Sequence, residues 1–304
     1  MFRGVYTAIV TPFNGDGSVD YGCLEALVER QAAAGVTGIV PVGTTGESPT
    51  LSYEEHSRVI DCVIEAARKT GKTSCGGCGC ASGCCRLQVI AGTGANSTSE
   101  ALELTRRALA AGADGTLQVT PYYNKPSQEG LYRHFSTVAD LGLPVVLYNV
   151  PGRSAREIGI DTIARLATHP SVVAVKEAGG SVDRVSQILD VCDIDVLSGD
   201  DALTLPMMAV GATGVISVAS NVIPKVMVEL VNAALEGRWE EARSVHRLYY
   251  RLFTHLFLDT NPVPVKAAMA MMGLCEAVYR LPLCEMDNGL QAKLKATLEG
   301  TGIL

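Results

Sequence analysis

Short apolar, β-branched runs alternate along the chain with longer stretches whose apolar positions recur every three or four residues. The short runs are VYTAIV (5–10), GIVPVG (38–43), LQVIAG (87–92), TLQVT (116–120), PVVLYNV (144–150), VVAVKEA (172–178), DVLSG (195–199) and TGVISV (213–218). Between them lie stretches of helical period, such as YGCLEALVERQAAAG (21–35), YEEHSRVIDCVIEAARKTG (53–71), SEALELTRRALAAG (99–112) and QEGLYRHFSTVADLG (128–142). Each of these four closes on a glycine just past its last apolar residue, the usual helix stop. Runs that are apolar on both faces and separated by helices predict a parallel sheet covered on both sides. Eight such units ending near residue 220 predict an α/β fold, a (β/α)8 TIM barrel. An open doubly wound sheet is the alternative, but TPFNGDG after the first run lacks the G-x-G-x-x-G dinucleotide turn.

The pattern changes after Pro224. KVMVELVNAALEG, WEEARSVHRLYYRLFTHLFL, PVKAAMAMMGL and NGLQAKLKATLEGTG all read as helices. The expected organisation is a catalytic barrel over 1–224 and a C-terminal helical region over 225–304, the latter supplying the barrel's last helix and a small extension. One stretch fits neither period. SCGGCGCASGCC (74–85) carries five of the ten cysteines, Cys75, Cys78, Cys80, Cys84 and Cys85. It stands between a helix and the strand that follows, on the barrel face opposite the expected active site. It reads as a surface insertion at about 72–86. One C-x2-C is half of a zinc signature, and no second pair follows at the usual spacing, so no metal site is assigned.

Composition bounds the partners. Of 304 residues, 47% are apolar and 19% charged, so a large core can be buried; the net charge of −7 argues against nucleic acid or an anionic membrane as the main partner. MFRGVYTAIVTPF has no small-residue cleavage site after its apolar run, and no run approaches the ~18 residues of a membrane span, so a cytoplasmic enzyme is expected. Cys23, Cys62, Cys192, Cys275 and Cys284 sit among apolar residues and read as small core residues.

In such barrels chemistry collects at the C-terminal ends of the strands. There the chain has GTTGES (43–48), TPYYNKP (120–126), YNVPGR (148–153), VKEAGG (175–180) and SGDD (198–201). Of eight lysines, only Lys176 lies inside an apolar strand. Burial favours the neutral amine, which can attack a ketone and form a Schiff base; a structural lysine paired with a carboxylate is the other reading of that position. GTTGES offers two hydroxyls and a run of backbone N–H groups suited to a carboxylate, or simply a helix cap. Tyr148 ends a strand and can move protons. Arg153 can hold a carboxylate bidentately. A metal-dependent aldolase would need several ligands, yet His56, His134, His169, His246 and His255 all lie in or beside predicted helices. The imine route is favoured, with no cofactor.

GTTGES, PYYNKPSQEGLYRHF, YNVPGR, VVAVKEA and LSGDDALTLPMMAVGATGVISVASNV together resemble the dihydrodipicolinate synthase/N-acetylneuraminate lyase family of class I aldolases, in order and over all but residues 72–86. The resemblance implies condensation of pyruvate with L-aspartate-4-semialdehyde to 4-hydroxy-tetrahydrodipicolinate, on the route to diaminopimelate and lysine. It implies Lys176 as the Schiff-base lysine and Tyr148 as the proton-moving tyrosine. Thr44 and Tyr123 are then its relay partners, Tyr123 reaching in from a neighbouring subunit. Thr45 would hold the pyruvate carboxylate and Arg153 that of the semialdehyde, while the carbonyls of Gly199 and Ile216 would lie near the lysine. Arg153 favours the synthase over its lyase relatives; a 2-keto-3-deoxy sugar-acid aldolase is the alternative within the family. Ser48, Tyr53, His56, Asn96, Glu100 and Tyr122 match a feedback site for L-lysine, with Pro49 and Tyr53 departing from the commonest pattern. A homotetramer, a dimer of dimers, is the implied assembly.

Overall fold

Each of the eight apolar runs pairs with the next, and the last pairs with the first, because strands apolar on both faces leave no edge that water could satisfy. The computed structural model describes residues 2–70 and 86–304. Its strands are β1 (Gly4–Ala8), β2 (Gly38–Val40), β3 (Gln88–Gly92), β4 (Gly115–Val119), β5 (Val145–Asn149), β6 (Val172–Glu177), β7 (Asp195–Ser198) and β8 (Gly214–Ser217). They form a closed, all-parallel barrel in sequence order. This is the expected (β/α)8 architecture.

The helices are α1 (Tyr21–Ala33), α2 (Tyr53–Lys69), α3 (Thr98–Ala111), α4 (Gln128–Ala139), the single turn α5 (Pro151–Ser154), α6 (Ile160–Ala167), α7 (Asp183–Val191) and α8 (Thr204–Ala209). Beyond the strands follow α9 (Pro224–Leu235), α10 (Trp239–His255), α11 (Val263–Met271) and α12 (Asn288–Gly300). The starts and stops are local chemistry. Ser52 and Glu55 form a reciprocal capping box at α2. Gly112, in the left-handed region, ends α3. α9 packs on β1 and β8 and closes the helical ring, α10 packs on α9, and α12 packs on both α10 and α11.

Two apolar layers follow from the period-2 alternation of the strands. Tyr6, Ala8, Val40, Ile90, Leu117, Val146, Tyr148, Ala174, Leu197 and Ile216 fill the barrel interior. Residues of opposite parity, such as Val5, Ile39, Val89, Leu147, Val175 and Val196, pack outward against the helices. The cysteine-rich stretch 74–85 lies outside the described residues; its flanks, the end of α2 and the start of β3, mark the barrel end away from the strand C-termini. Among the other cysteines Cys62 is buried, and Cys23, Cys192 and Cys275 are partly so. Cys284 departs from expectation and is exposed, because it belongs to the irregular segment between α11 and α12 rather than to a packed face.

Candidate active site

Parity fixes which side of β6 carries chemistry. Ala174 faces the barrel interior and Val175 the helices, so Lys176 points inward and Glu177 outward. Lys176 is directly in register with Tyr148 of β5. Its Nζ stands 4.1 Å from the Tyr148 ring centroid, a cation–π distance. Lys176 is 6% exposed, and it has no carboxylate partner among the described residues. Gly199 follows β7 because nothing larger fits: a Cβ there would stand 3.0 Å from Lys176 Cε and 2.7 Å from Ala178 Cβ.

Behind Lys176, Glu177 is fully buried and held on all sides. Asn149 Nδ2 donates to both carboxylate oxygens at 2.9 and 3.0 Å, the Gly179 N–H at 2.7 Å and Arg184 Nε at 3.1 Å. This fully satisfied network fixes the end of β6 and with it the root of the lysine.

The GTTGES turn after β2 folds on itself. The N–H groups of Gly46 and Ser48 bond to the Gly43 carbonyl, and that of Glu47 to the Thr44 carbonyl. The N–H groups of Thr44 and Thr45 have no acceptor among the described residues. Val42 and Glu47 both have positive φ, 49° and 52°. For a β-branched valine this is strained backbone, of the kind held in place only by its surroundings. Gly46 permits the turn, since a Cβ would meet Val42 N at 2.9 Å. Glu47 anchors it: its buried carboxylate accepts from Lys266 Nζ of α11 at 2.6 Å.

These elements enclose a cavity of about 430 Å3 at the strand C-termini, with Thr44, Thr45, Tyr148, Arg153, Lys176 and Gly199 on its wall. Six of the residues marked in the sequence thus converge from four strand ends, those of β2, β5, β6 and β7. Ile216 packs in the barrel interior with Tyr148 and Leu197. Tyr123 is 90% exposed with φ 72°, directed away from the chain's own cavity. No hydrogen bond joins the Tyr148, Thr44 and Tyr123 hydroxyls among the described residues.

A second cavity of about 500 Å3 shares Thr44, Tyr148 and Arg153 with the first and continues past Ser48, Tyr53, His56, Glu100 and Tyr122. Asn96 supports it from behind, donating to the Tyr122 carbonyl at 3.2 Å. His56 is buried, and burial, opposed by the nearby Gly92 backbone, holds its pKa down at about 4. Burial and the Glu100 carboxylate push the Tyr122 phenol up.

Sequence reading missed Asn261, Lys266, Glu47 and Asp201. Asn261 lies on the Lys176 cavity wall. Asp201 is buried, accepts from the Val218 and Ala219 N–H groups at 3.0 and 2.8 Å, and is pushed by burial to about 6. The segment NPVPVKAAMAMMG held the available signal, a single charge within an otherwise apolar helix.

The dihydrodipicolinate synthetase family model matches residues 1–301. A 4-hydroxy-tetrahydrodipicolinate synthase of Geotalea uraniireducens (strain Rf4) is 50% identical over 307 residues and covers all of both chains. The solved structure of the 4-hydroxy-tetrahydrodipicolinate synthase from the thermoacidophilic methanotroph Methylacidiphilum fumariolicum SolV superposes with a TM-score of 0.93 at 48% identity, covering 99% of this chain and 96% of that one. A dihydrodipicolinate synthase from Cyanidioschyzon merolae, solved with lysine bound, superposes with a TM-score of 0.92 at 38% identity, over 100% of this chain and 99% of that one.

Proposed function

Because this chain belongs to the dihydrodipicolinate synthetase family, we propose that its Lys176 cavity condenses pyruvate with L-aspartate-4-semialdehyde through a Schiff base. The product is 4-hydroxy-tetrahydrodipicolinate, on the way to diaminopimelate and lysine. The observation that carries the reading is the buried Lys176 amine, without a carboxylate partner, at the centre of a cavity walled by anion-binding groups.

Pyruvate's carboxylate fits the free Thr44 and Thr45 N–H groups and the Thr45 hydroxyl, which places its ketone toward Lys176. The neutral amine attacks that carbon, and loss of water leaves the protonated imine. A proton leaves the methyl group to give the enamine, whose carbon attacks the aldehyde of the second substrate. Arg153 holds that substrate's carboxylate, and Tyr148 takes and returns protons with Thr44 and Tyr123. Attack of the semialdehyde's own amino group on the imine carbon closes the ring and frees Lys176. One water is lost overall. Gly199 keeps room for the lysine, and the carbonyls of Gly199 and Ile216 face the imine end. The reaction needs no metal or organic cofactor in this scheme. The central test is borohydride reduction with pyruvate: the expected result is a stable pyruvyl adduct on Lys176, absent in Lys176→Ala. An unmodified Lys176 in active protein would sink the mechanism.

The second cavity is read as a site for free L-lysine. Glu100 suits the ammonium, while Ser48, Tyr53, His56, Asn96 and Tyr122 offer hydroxyl, ring and amide partners. Lysine is bound in the Cyanidioschyzon merolae relative, which supports this reading. The exposure of Tyr123 supports a homotetramer in which it completes a neighbour's site. A cytoplasmic location belongs to the same proposal, since no helix among the described residues is long and apolar enough to cross a membrane. Light scattering alongside the condensation assay, with and without millimolar L-lysine, tests both assembly and inhibition. A tetramer slowed by lysine is expected; a fully active monomer removes the first claim, and an unchanged rate the second.

A further inference from the structure

Asn261 lines the Lys176 cavity and has no part in the reaction as written. Asn261 stands just before α11, in the C-terminal helical region, and is 6% exposed. Its Nδ2 donates to Thr45 Oγ1 at 3.0 Å. Its backbone carbonyl accepts from Arg153 Nη2 at 3.2 Å. Its Oδ1 is buried without a hydrogen-bond partner. One residue therefore touches both groups assigned to substrate carboxylates, Thr45 through its side chain and Arg153 through its backbone.

We infer that Asn261 is a positioning residue that makes the Thr45 hydroxyl a dedicated donor to the keto acid's carboxylate, and so sets pyruvate affinity. This rests on reading the cavity as a pyruvate site. A threonine hydroxyl has one proton and two lone pairs, and free rotation lets it either accept or donate. The Asn261 amide occupies a lone pair and fixes the rotor. Thr45 is only 2% exposed, and its own proton has no acceptor among the described residues. A carboxylate seated on the Thr44 and Thr45 N–H groups supplies that acceptor. The bond is then charge-assisted and preorganised, so little reorganisation is needed when substrate arrives.

The geometry also separates this role from general support. Changing the side chain at 261 leaves the backbone carbonyl that holds Arg153. The pyruvate and semialdehyde sites should therefore respond differently. Loss of one hydrogen bond that aims a donor at a charged ligand corresponds to roughly a 10-fold weakening or more.

The test is steady-state kinetics of the parent protein and four variants: Asn261→Ala, Asn261→Asp, Thr45→Val and the Thr45→Val/Asn261→Ala double variant. Asn261→Ala is expected to raise the pyruvate KM roughly 10-fold, with the semialdehyde KM and kcat changed by no more than about three-fold. Asn261→Asp, which is isosteric, carries the test where truncation disturbs folding. An ionised aspartate accepts from Thr45 and takes the proton that pyruvate needs, so its pyruvate KM should exceed that of the alanine variant. It should also climb with pH as the carboxyl ionises, which a purely structural role would not produce. In a Thr45→Val background, Asn261→Ala should add less than about three-fold, because the group it acts through is already gone. An unchanged pyruvate KM, an equal rise in both KM values, or an aspartate variant matching the parent at every pH would overturn the inference. Borohydride trapping of pyruvate on the parent protein stands apart from these outcomes: its failure would remove the pyruvate reading itself, whatever the variants do.

Discussion

Two lysines are buried among the described residues, and their surroundings give them different work. Lys176 has an aromatic face beside it and a cavity in front of it. Lys266 is fully enclosed, with Glu47 Oε1 at 2.6 Å, the Thr11 carbonyl at 3.1 Å and the Phe13 ring at 4.2 Å. Burial pushes the Lys266 pKa down and Glu47 opposes that shift. An ammonium enclosed and bonded to a carboxylate and a carbonyl is a strut, not a nucleophile. Lys266→Met should destabilise the protein by about 3–5 kcal/mol, because it leaves the Glu47 carboxylate buried and unpaired. Adding Glu47→Gln should recover part of that loss. Urea midpoints of the single and double variants decide it; a loss under about 1 kcal/mol, or no recovery, would refute the strut. Lys176 was legible in the sequence because a charge inside a β-branched run has no exposed face to occupy. Lys266 was passed over because a helix ordinarily offers a lysine a solvent side, and only three-dimensional packing removes that side here.

At the scale of elements, alternation told nearly everything about the barrel. All eight predicted runs became strands, seven of them with ends shifted by no more than two residues. β2 stops at Val40, three residues short of the apolar run, because Pro41 lacks a donor and Val42 turns into positive φ. The site was legible to the extent that strand ends are its scaffold: Thr44, Thr45, Tyr148, Arg153, Lys176 and Gly199 meet in one cavity. What stayed hidden arrives from far along the chain. Asn261 and Lys266 come more than 200 residues after the turn they brace, and periodicity carries no information about contacts of that range. Tyr123 was marked by its motif, while its outward direction follows from a φ of 72° that its residue type does not announce. Glu177 adjoins the lysine in sequence but points the opposite way, so its role as an anchor needed the parity of β6 and the position of Arg184.

The molecule as a whole should lose stability as it is acidified from neutrality, and the sign follows from which buried groups titrate. His56 and His134 are both held at about 4 by burial, against about 6.5 in the unfolded chain. Between those values the unfolded chain binds protons that the folded protein does not, so stability falls as pH drops through the window. Burial pushes His246 and His255 down as well, in the same sense. Asp201 acts in opposition. Its folded value of about 6 lies above that of a free carboxyl, so its contribution is fully present at low pH and is lost as pH rises through 6. Glu55, held at about 2 chiefly by Arg280, matters only below its ordinary range, at more acid pH. Two strongly shifted histidines outweigh one aspartate, and the net loss between pH 7 and pH 5 is about 2 kcal/mol. Urea unfolding at a series of pH values and fixed protein concentration should show this slope. His134→Gln should remove most of it, because the remaining histidine then nearly balances Asp201, while Asp201→Asn should steepen it. A flat profile from pH 7 to pH 5, or a slope indifferent to both substitutions, would mean that these buried groups do not govern the acid stability of the fold.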